Sequence, residues 1–169
     1  NLSLFPNVEV IEGDVFSAEI LARIKGANKY FCDTERPHEE KERSLASITP
    51  SFADLRKNFP SIAIEVPPQL IPEKLPLDIE REYLSVGGRL NRLTLYCGEL
   101  RTEGTSVVSL PSQAKLTSRM PGREPRRSPA QSYIYEVDTA VIKAGLLPQL
   151  LSCHPGAMLY GQGKYTLLT

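Results

Sequence analysis

The stretch Lys29-Tyr30-Phe31-Cys32-Asp33-Thr34-Glu35-Arg36-Pro37 decides how the first third of the chain is read. Mostly apolar residues run into Asp33, and a polar loop that contains a proline follows. This pattern predicts a buried, central, parallel strand that places Asp33 in a crevice, since ligands bind outside the carboxyl ends of strands in open α/β sheets. The residues leave open the alternative that Asp33 only caps a turn, because acids are common in turns.

Two further strand-like runs flank this stretch, at residues 8–11 and 61–66. Ser17 is the expected N-cap of a helix between the first two strands. A second short amphipathic helix carries Phe52, Leu55 and Phe59, and Pro60 ends it. The resulting order β-α-β-α-β predicts a parallel sheet, because the crossovers between neighbouring parallel strands are right-handed.

The pattern changes after a run of prolines between residues 67 and 76, which marks a boundary. Two strand-like runs around Gly87-Gly88 predict a hairpin, and residues 105–110 predict a third strand of an antiparallel unit. The class therefore shifts from α/β to α+β. Near the C-terminus, Asp138 is expected to cap a helix that ends at Gly145. A short strand at residues 132–136 precedes this helix, and two closing strands at 157–160 and 164–168 follow it.

Composition limits the classes of function. The chain has 169 residues with 20 Lys+Arg and 20 Asp+Glu, so it has no overall nucleic-acid signature. Its three cysteines form no C-x-x-C pair, which predicts a reducing, cytoplasmic location. No apolar run approaches the ~20 residues of a membrane helix, so no membrane association is expected. The two histidines have no partner at ligand spacing, and no metal site is predicted.

Residues 111–131 are predicted to form a long linker with a local excess of positive charge. The cations are Lys115, Arg119, Arg123, Arg126 and Arg127, against the single acid Glu124. Such a group can contact phosphates, and each contact would add to a salt-dependent affinity for nucleic acid. The alternative is a solubilising linker. No aromatic residue is interleaved with the cations, so base stacking is not predicted here.

Two segments carry a resemblance to a known group of proteins. Residues 85–90 (Ser-Val-Gly-Gly-Arg-Leu) and 95–100 (Leu-Tyr-Cys-Gly-Glu-Leu) resemble a Gly-centred hairpin in one group of methyltransferases. Residues 133–138 and 140–145 are similar to the segment that opens a THUMP-like domain in that group. The resemblance implies a fold class of α/β and α+β, in which a partial Rossmann-like methyltransferase sheet precedes two small units. It assigns residues 1–67 to the C-terminal half of the Rossmann-like domain, 68–111 to a ferredoxin-like domain, 112–131 to a basic linker and 132–169 to a THUMP-like domain.

The same resemblance implies that the chain is part of an S-adenosylmethionine-dependent methyltransferase that acts on RNA. It places the acceptor at Asp33 and Arg36, and the adenine of the cofactor near Asp14 and Val15. The Gly-rich loop and the ribose-binding acid of such cofactor sites have no counterpart in the sequence. Thr34 also stands where the group has a proline. Binding of S-adenosylmethionine is therefore expected of a longer protein rather than of this chain alone.

Two other readings stay open at this stage. The chain can be a non-catalytic RNA-binding or protein-interaction module that keeps the sheet as a scaffold. It can also be a structural subunit whose sheet is completed by a missing N-terminal segment or by a partner chain. An exposed sheet edge would support the latter reading.

Overall fold

The computed structural model of the protein describes residues 5–35 and 43–169. Its helices and strands are, in chain order, α1 (Ala18–Ile24), β1 (Tyr30–Asp33), α2 (Phe52–Asn58), β2 (Ile62–Val66), β3 (Glu80–Val86), β4 (Arg89–Tyr96), β5 (Thr105–Leu110), β6 (Ala114–Thr117), β7 (Tyr135–Glu136), α3 (Thr139–Ala144), α4 (Leu147–Cys153), β8 (Leu159–Gln162) and β9 (Thr166–Leu168). None of the helices in these ranges is long and apolar enough to cross a membrane.

Six strands form one mixed sheet with the order β1-β2-β4-β3-β5-β6. β1 and β2 are parallel, as are β3 and β5, and the other neighbouring pairs are antiparallel. The parallel pairing of β1 with β2 confirms the prediction from the first third of the sequence. A second, antiparallel sheet has the order β7-β9-β8.

The predicted helix signals in the first third are confirmed. The Ser17 hydroxyl accepts the N–H of Ile20 at 3.3 Å, and α1 follows. The Ser51 hydroxyl accepts the N–H of Asp54 at 3.1 Å at the start of α2. Leu55 on α2 is fully buried in the main apolar cluster, so this short helix is held by its apolar face as well as by its cap.

The position of β1 in the sheet corrects the prediction of a buried, central strand. β1 is an edge strand, and Phe31 is 65% exposed. The predicted strand at residues 8–11 is also wrong, because that segment forms no strand and Val10 is exposed. Within the described residues β1 pairs with a strand on one side only, and the face that carries Phe31 is uncovered.

The glycine hairpin is confirmed. Gly87 and Gly88 have φ values of 58° and 77°, which suit the two central positions of a tight turn between β3 and β4.

β4 pairs with β2 along its other edge. The predicted boundary at residue 67 therefore falls between two strands of one sheet. The ferredoxin-like and THUMP-like assignments stay predictions.

The expectation that β5 belongs to an antiparallel unit is wrong in part, because β5 is antiparallel to β6 but runs parallel to β3. β4 ends beside the start of β3, and its outer edge is occupied by β2. The segment that follows β4 must therefore pair with the free edge of β3. It begins at the same end of the sheet as β3, so β5 runs in the same direction as β3. The linker predicted at residues 111–131 is wrong in part too, since β6 lies in it and pairs with β5.

The C-terminal elements confirm their local signals. The Asp138 carboxylate accepts the N–H of Ala140 at 2.8 Å at the start of α3. Gly145 ends this helix with a φ of 71°, a left-handed conformation that favours glycine. The two predicted closing strands form the antiparallel pair β8–β9, although β8 continues through Gly161 and Gln162, beyond the predicted strand at 157–160. The short strand before Asp138 forms β7.

Candidate functional site at the carboxyl ends of the parallel strands

Asp33 is the last residue of β1, and Glu65 lies beside it in register on β2. The carboxyl ends of these parallel strands meet a crevice of about 180 Å³. Asn91 and Arg92 of β4 close its other side. Asp33 therefore lies at a crevice, as predicted, but the crevice is near one edge of the sheet and not at its centre.

Arg92 and Glu65 form the electrostatic core of this crevice. The Arg92 Nη1 atom donates to both carboxylate oxygens of Glu65, at 2.7 and 2.6 Å. The hydrogen bond to Glu65 raises the pKa of Arg92, and the charges of Glu65 and Asp33 add to this rise. Two carboxylates against one guanidinium give the crevice a net negative charge. It therefore favours a ligand atom that donates a hydrogen bond or carries positive charge.

The backbone after Asp33 is anchored to neighbouring elements. The Thr34 hydroxyl donates to the backbone carbonyl of Glu65 at 2.8 Å, which ties the loop to β2. Glu35 and Thr49 exchange two backbone hydrogen bonds of 2.8 Å each, which close the base of the segment between them. These contacts fix the start of the loop that follows Asp33. Arg36, the other predicted catalytic residue, lies outside the described residues.

Asp14 and Val15, the predicted cofactor-binding residues, lie in the turn before α1. The Asp14 carboxylate accepts the N–H of Phe16 at 2.9 Å, and its backbone carbonyl accepts the N–H of Ser17. Val15 packs against the apolar core. Neither Asp14 nor Val15 lines the crevice at Asp33. Asp14 and Val15 are therefore not brought together with Asp33 in one pocket.

Arg123, one of the predicted nucleic-acid contacts, donates three hydrogen bonds to backbone carbonyls near the end of α4. Its Nε atom donates to the backbone carbonyl of Leu151 at 3.2 Å. Its Nη2 atom donates to the carbonyls of His154 and Ala157 at 3.3 and 2.6 Å. The Leu151 carbonyl is in the last turn of α4 and the other two follow it, where a cation also interacts favourably with the helix dipole. The geometry therefore gives Arg123 a structural role.

Two other cations of the predicted group have acidic partners. Lys115 lies 3.5 Å from Glu82, and Arg119 lies 3.5 Å from Glu103. The arginines at 126 and 127 are exposed, and their backbone runs beside β8. Intramolecular contacts thus engage three of the five predicted cations, which lowers the charge that this segment offers to phosphates.

Sequence reasoning missed Glu65 and Arg92. An acid one residue before the end of the neighbouring parallel strand was a usable signal for Glu65, because such strands end at the same edge of a sheet. Arg92 carried no comparable signal. It reaches the crevice only because β4 pairs with β2, and a pairing between these two strands is not encoded in any local pattern.

Comparison with known proteins gives one structural likeness. No family model and no curated protein matches the sequence. The fold is similar to the crystal structure of a "putative methyltransferase from Porphyromonas gingivalis W83", with a TM-score of 0.62 and 18% sequence identity. The likeness covers 89% of this chain and 42% of that one. The protein therefore has a methyltransferase-like fold over most of its length, and it spans less than half of the structure that it matches.

Proposed function

We propose that this chain is part of an S-adenosylmethionine-dependent methyltransferase that acts on RNA. The observation that carries the proposal is the polar crevice at Asp33, located at the carboxyl ends of parallel strands in a fold similar to a methyltransferase structure. This edge of an α/β sheet is where ligands bind. The RNA substrate and the cofactor rest on the sequence resemblance.

Within this function, Asp33 holds the group that accepts the methyl. A carboxylate in a crevice of net negative charge is suited to accept a hydrogen bond from an amino, ring N–H or hydroxyl group of a nucleotide. Glu65 acts as a positioning residue, since it fixes the guanidinium of Arg92 at the opposite wall. The contribution of these residues is orientation of the acceptor, which can supply a large part of the rate of a displacement.

The remaining part of the sheet is proposed to pair with β1. Tyr30 donates its backbone N–H to Ser61 at 3.1 Å, and a parallel pair uses alternate residues of each strand. The backbone N–H and C=O of Phe31 therefore point away from β2. An N-terminal segment or a partner chain that adds a strand here would complete the sheet and could carry the cofactor pocket.

The second candidate function is a non-catalytic module for RNA or protein binding that keeps the sheet as a scaffold. The contacts of Asp14 favour it, because its carboxylate caps the turn before α1 and takes no part in the crevice. In this case the Asp33 crevice would have no catalytic consequence.

Calorimetry with S-adenosylmethionine tests the proposal, on this chain and on a form that includes any residues that precede Asn1 in the natural protein. Methyl transfer from labelled cofactor to RNA is measured on the same samples. We expect binding and transfer by a longer form, and a loss of transfer in Asp33→Asn but not in the control Glu99→Gln, which changes an exposed acid elsewhere. Absence of binding and transfer in both forms would reject the enzyme and favour the module.

A further inference from the structure

A second cavity lies in the C-terminal half of the molecule, in the space between the two sheets. It has a volume of about 680 Å³ and lies between β5 and β6 on one side and α3, α4, β7 and β9 on the other. This volume is within the usual range of about 300–1,000 Å³ for small-molecule sites. The two walls enclose it as a cleft, a shape that suits a small molecule.

This cavity is separate from the crevice at Asp33. β1 and β6 are the opposite edges of the six-stranded sheet. Five strand spacings of about 4.8 Å place those edges about 24 Å apart. A ligand in the second cavity therefore does not touch Asp33, and its binding is independent of the proposed function.

The walls of the second cavity are aliphatic on both sides. On the sheet, Val107 of β5 lies in register with Leu116 of β6, so both side chains are on the face that lines the cavity. The wall opposite the sheet consists of the aliphatic side chains of Val137, Val141, Leu150 and Leu168. All six residues belong to the main apolar cluster or pack against it. The cavity is thus a gap in the apolar core, and the side chains around it lack dispersion contacts on that side.

The acid on β7 turns its charge away from this gap. In the pairing of β7 with β9, Tyr135 lies opposite Leu168, and Glu136 lies opposite the next residue along β9. Successive side chains of a strand point to opposite faces. Leu168 is buried at the cavity, so Tyr135 is on the same face as Leu168 and the carboxylate of Glu136 is on the other.

The lysine that borders the cavity is directed away from it too. The Lys115 ammonium lies 3.5 Å from Glu82, so its charge already has a partner. The strand neighbours Ala114 and Leu116 line the cavity, so the Lys115 side chain points to the other face of the sheet. The interior therefore receives no cation from β6.

Asp138 also has its partners within the chain. One oxygen of its carboxylate accepts the Ser109 hydroxyl at 3.1 Å, and the other accepts the N–H of Ala140 at 2.8 Å. Among the described residues, the acids and the lysine of the lining are thus turned away or already hydrogen-bonded. A charged ligand would give up its hydration here without gaining a free partner of opposite charge, which is unfavourable.

We propose that the second cavity binds an uncharged aliphatic molecule, whose chain lies between Val107 and Leu116 on the sheet and the aliphatic wall opposite. Water in a cavity needs about two to four polar partners, which these walls do not supply. Displacement of such weakly held water by an apolar group increases affinity. Each CH₂ group of the ligand that enters the gap adds to this gain, because it leaves water and contacts the walls.

The test titrates 1-hexanol, 1-heptanol and 1-octanol, and it compares 1-octanol with octanoate and n-octylammonium, which have charged head groups on eight carbons. Calorimetry measures affinity, and amide shifts of the labelled chain locate the site. Histidine side chains are neutral at pH 8, so the samples are kept at that pH. We expect shifts at residues 107–109, 114–116 and 150–157, with affinity increasing about threefold to fourfold for each added CH₂ group. Both ions should bind more weakly than 1-octanol.

Ala114→Trp places a large ring at the exposed end of the cavity wall, and it should abolish the shifts while the thermal melting curve stays that of the parent chain. Ala130→Trp is the matched control, because Ala130 is exposed and outside the cavity, and it should leave the shifts unchanged.

The chain-length series needs no variant, so the parent chain alone can refute the proposal. Affinity that does not depend on chain length would overturn it, and so would tighter binding of either ion than of 1-octanol. Absence of the shifts with 1-octanol up to about 1 mM, or unchanged binding in Ala114→Trp, would also overturn it. A dimer detected by light scattering that Ala114→Trp abolishes would overturn it in favour of an interface between two copies of the chain.

Discussion

Replacement of Arg123 by alanine separates a structural role for this residue from a role in nucleic-acid binding. The substitution removes the three hydrogen bonds that the guanidinium donates to backbone carbonyls in and just after the last turn of α4. It also removes a cation from the C-terminal end of that helix. We therefore expect the chain to lose stability, and we expect its affinity for RNA to stay unchanged.

The size of the loss follows from the geometry. A hydrogen bond to a charged group contributes about 1.5–3 kcal/mol when it is well formed and buried. Only the bond to Ala157 is short, at 2.6 Å, and the other two are 3.2 and 3.3 Å long. Arg123 is half-buried, so water can replace part of what is lost. We expect Arg123→Ala to lower the free energy of unfolding by about 2–3 kcal/mol.

Urea unfolding followed by circular dichroism measures this loss as a shift of the midpoint at an unchanged slope. Arg126→Ala is the matched control, because Arg126 is exposed in the same segment, and it should change the stability by less than about 0.5 kcal/mol. RNA binding at several salt concentrations completes the assay. If Arg123→Ala left stability intact and lowered the salt slope by about one, Arg123 would be a phosphate contact and the structural argument would be refuted.

Three further predictions concern the stability of the folded chain and the ionisation of a half-buried tyrosine. Gly98→Ala should destabilise the chain by about 3 kcal/mol or more in urea unfolding. The residue has a φ of 62°, and an added Cβ would lie 2.2 Å from the backbone oxygen of Pro60. A loss below about 1 kcal/mol would contradict this. Asp138→Ala should cost about 1–2 kcal/mol through the lost cap of α3 and should lower the helical circular dichroism signal, whereas parent-like stability would argue against the cap. Burial, together with the charge and hydrogen bond of Glu82, raises the pKa of Tyr96 to about 12. Since the unfolded value is about 10, the stabilisation is complete below pH 10 and disappears as the pH rises through 12. Partial solvent exposure limits its size to about 1–2 kcal/mol. The ultraviolet titration of the parent chain minus that of Tyr96→Phe measures the midpoint, and a value near 10 would refute the assignment.

Local signals in the sequence predicted the elements well, because short-range contacts form those elements. The caps at Ser17 and Asp138, the helix end at Gly145 and the turn at Gly87-Gly88 all depend on residues within a few positions. The position of Asp33 at the end of a strand belongs to the same class, and it gave the centre of the candidate site. Each of these features was readable without knowledge of any neighbour in space.

The predictions that failed depend on contacts between distant segments. Whether β1 is central or at an edge depends on the strand beside it, and whether β5 is parallel depends on which edge is free. The role of Arg123 depends on carbonyls that are 28 to 34 residues away. Arg92 reaches the crevice through the pairing of β4 with β2. A residue pattern contains none of this information, so these residues were either missed or assigned to solvent-facing roles.

The strand order also explains why the two candidate sites lie at opposite edges of one sheet. β4 takes the outer edge of β2, so β5 must pair with β3, and β6 then becomes the far edge. The C-terminal unit packs against that edge and encloses the second cavity. At the other edge, β1 has no strand neighbour on its outer side within the described ranges, and the Asp33 crevice lies open beside it. A partner strand on β1 would therefore change the surroundings of Asp33 and leave the second cavity unaffected, which makes the two sites separable by experiment.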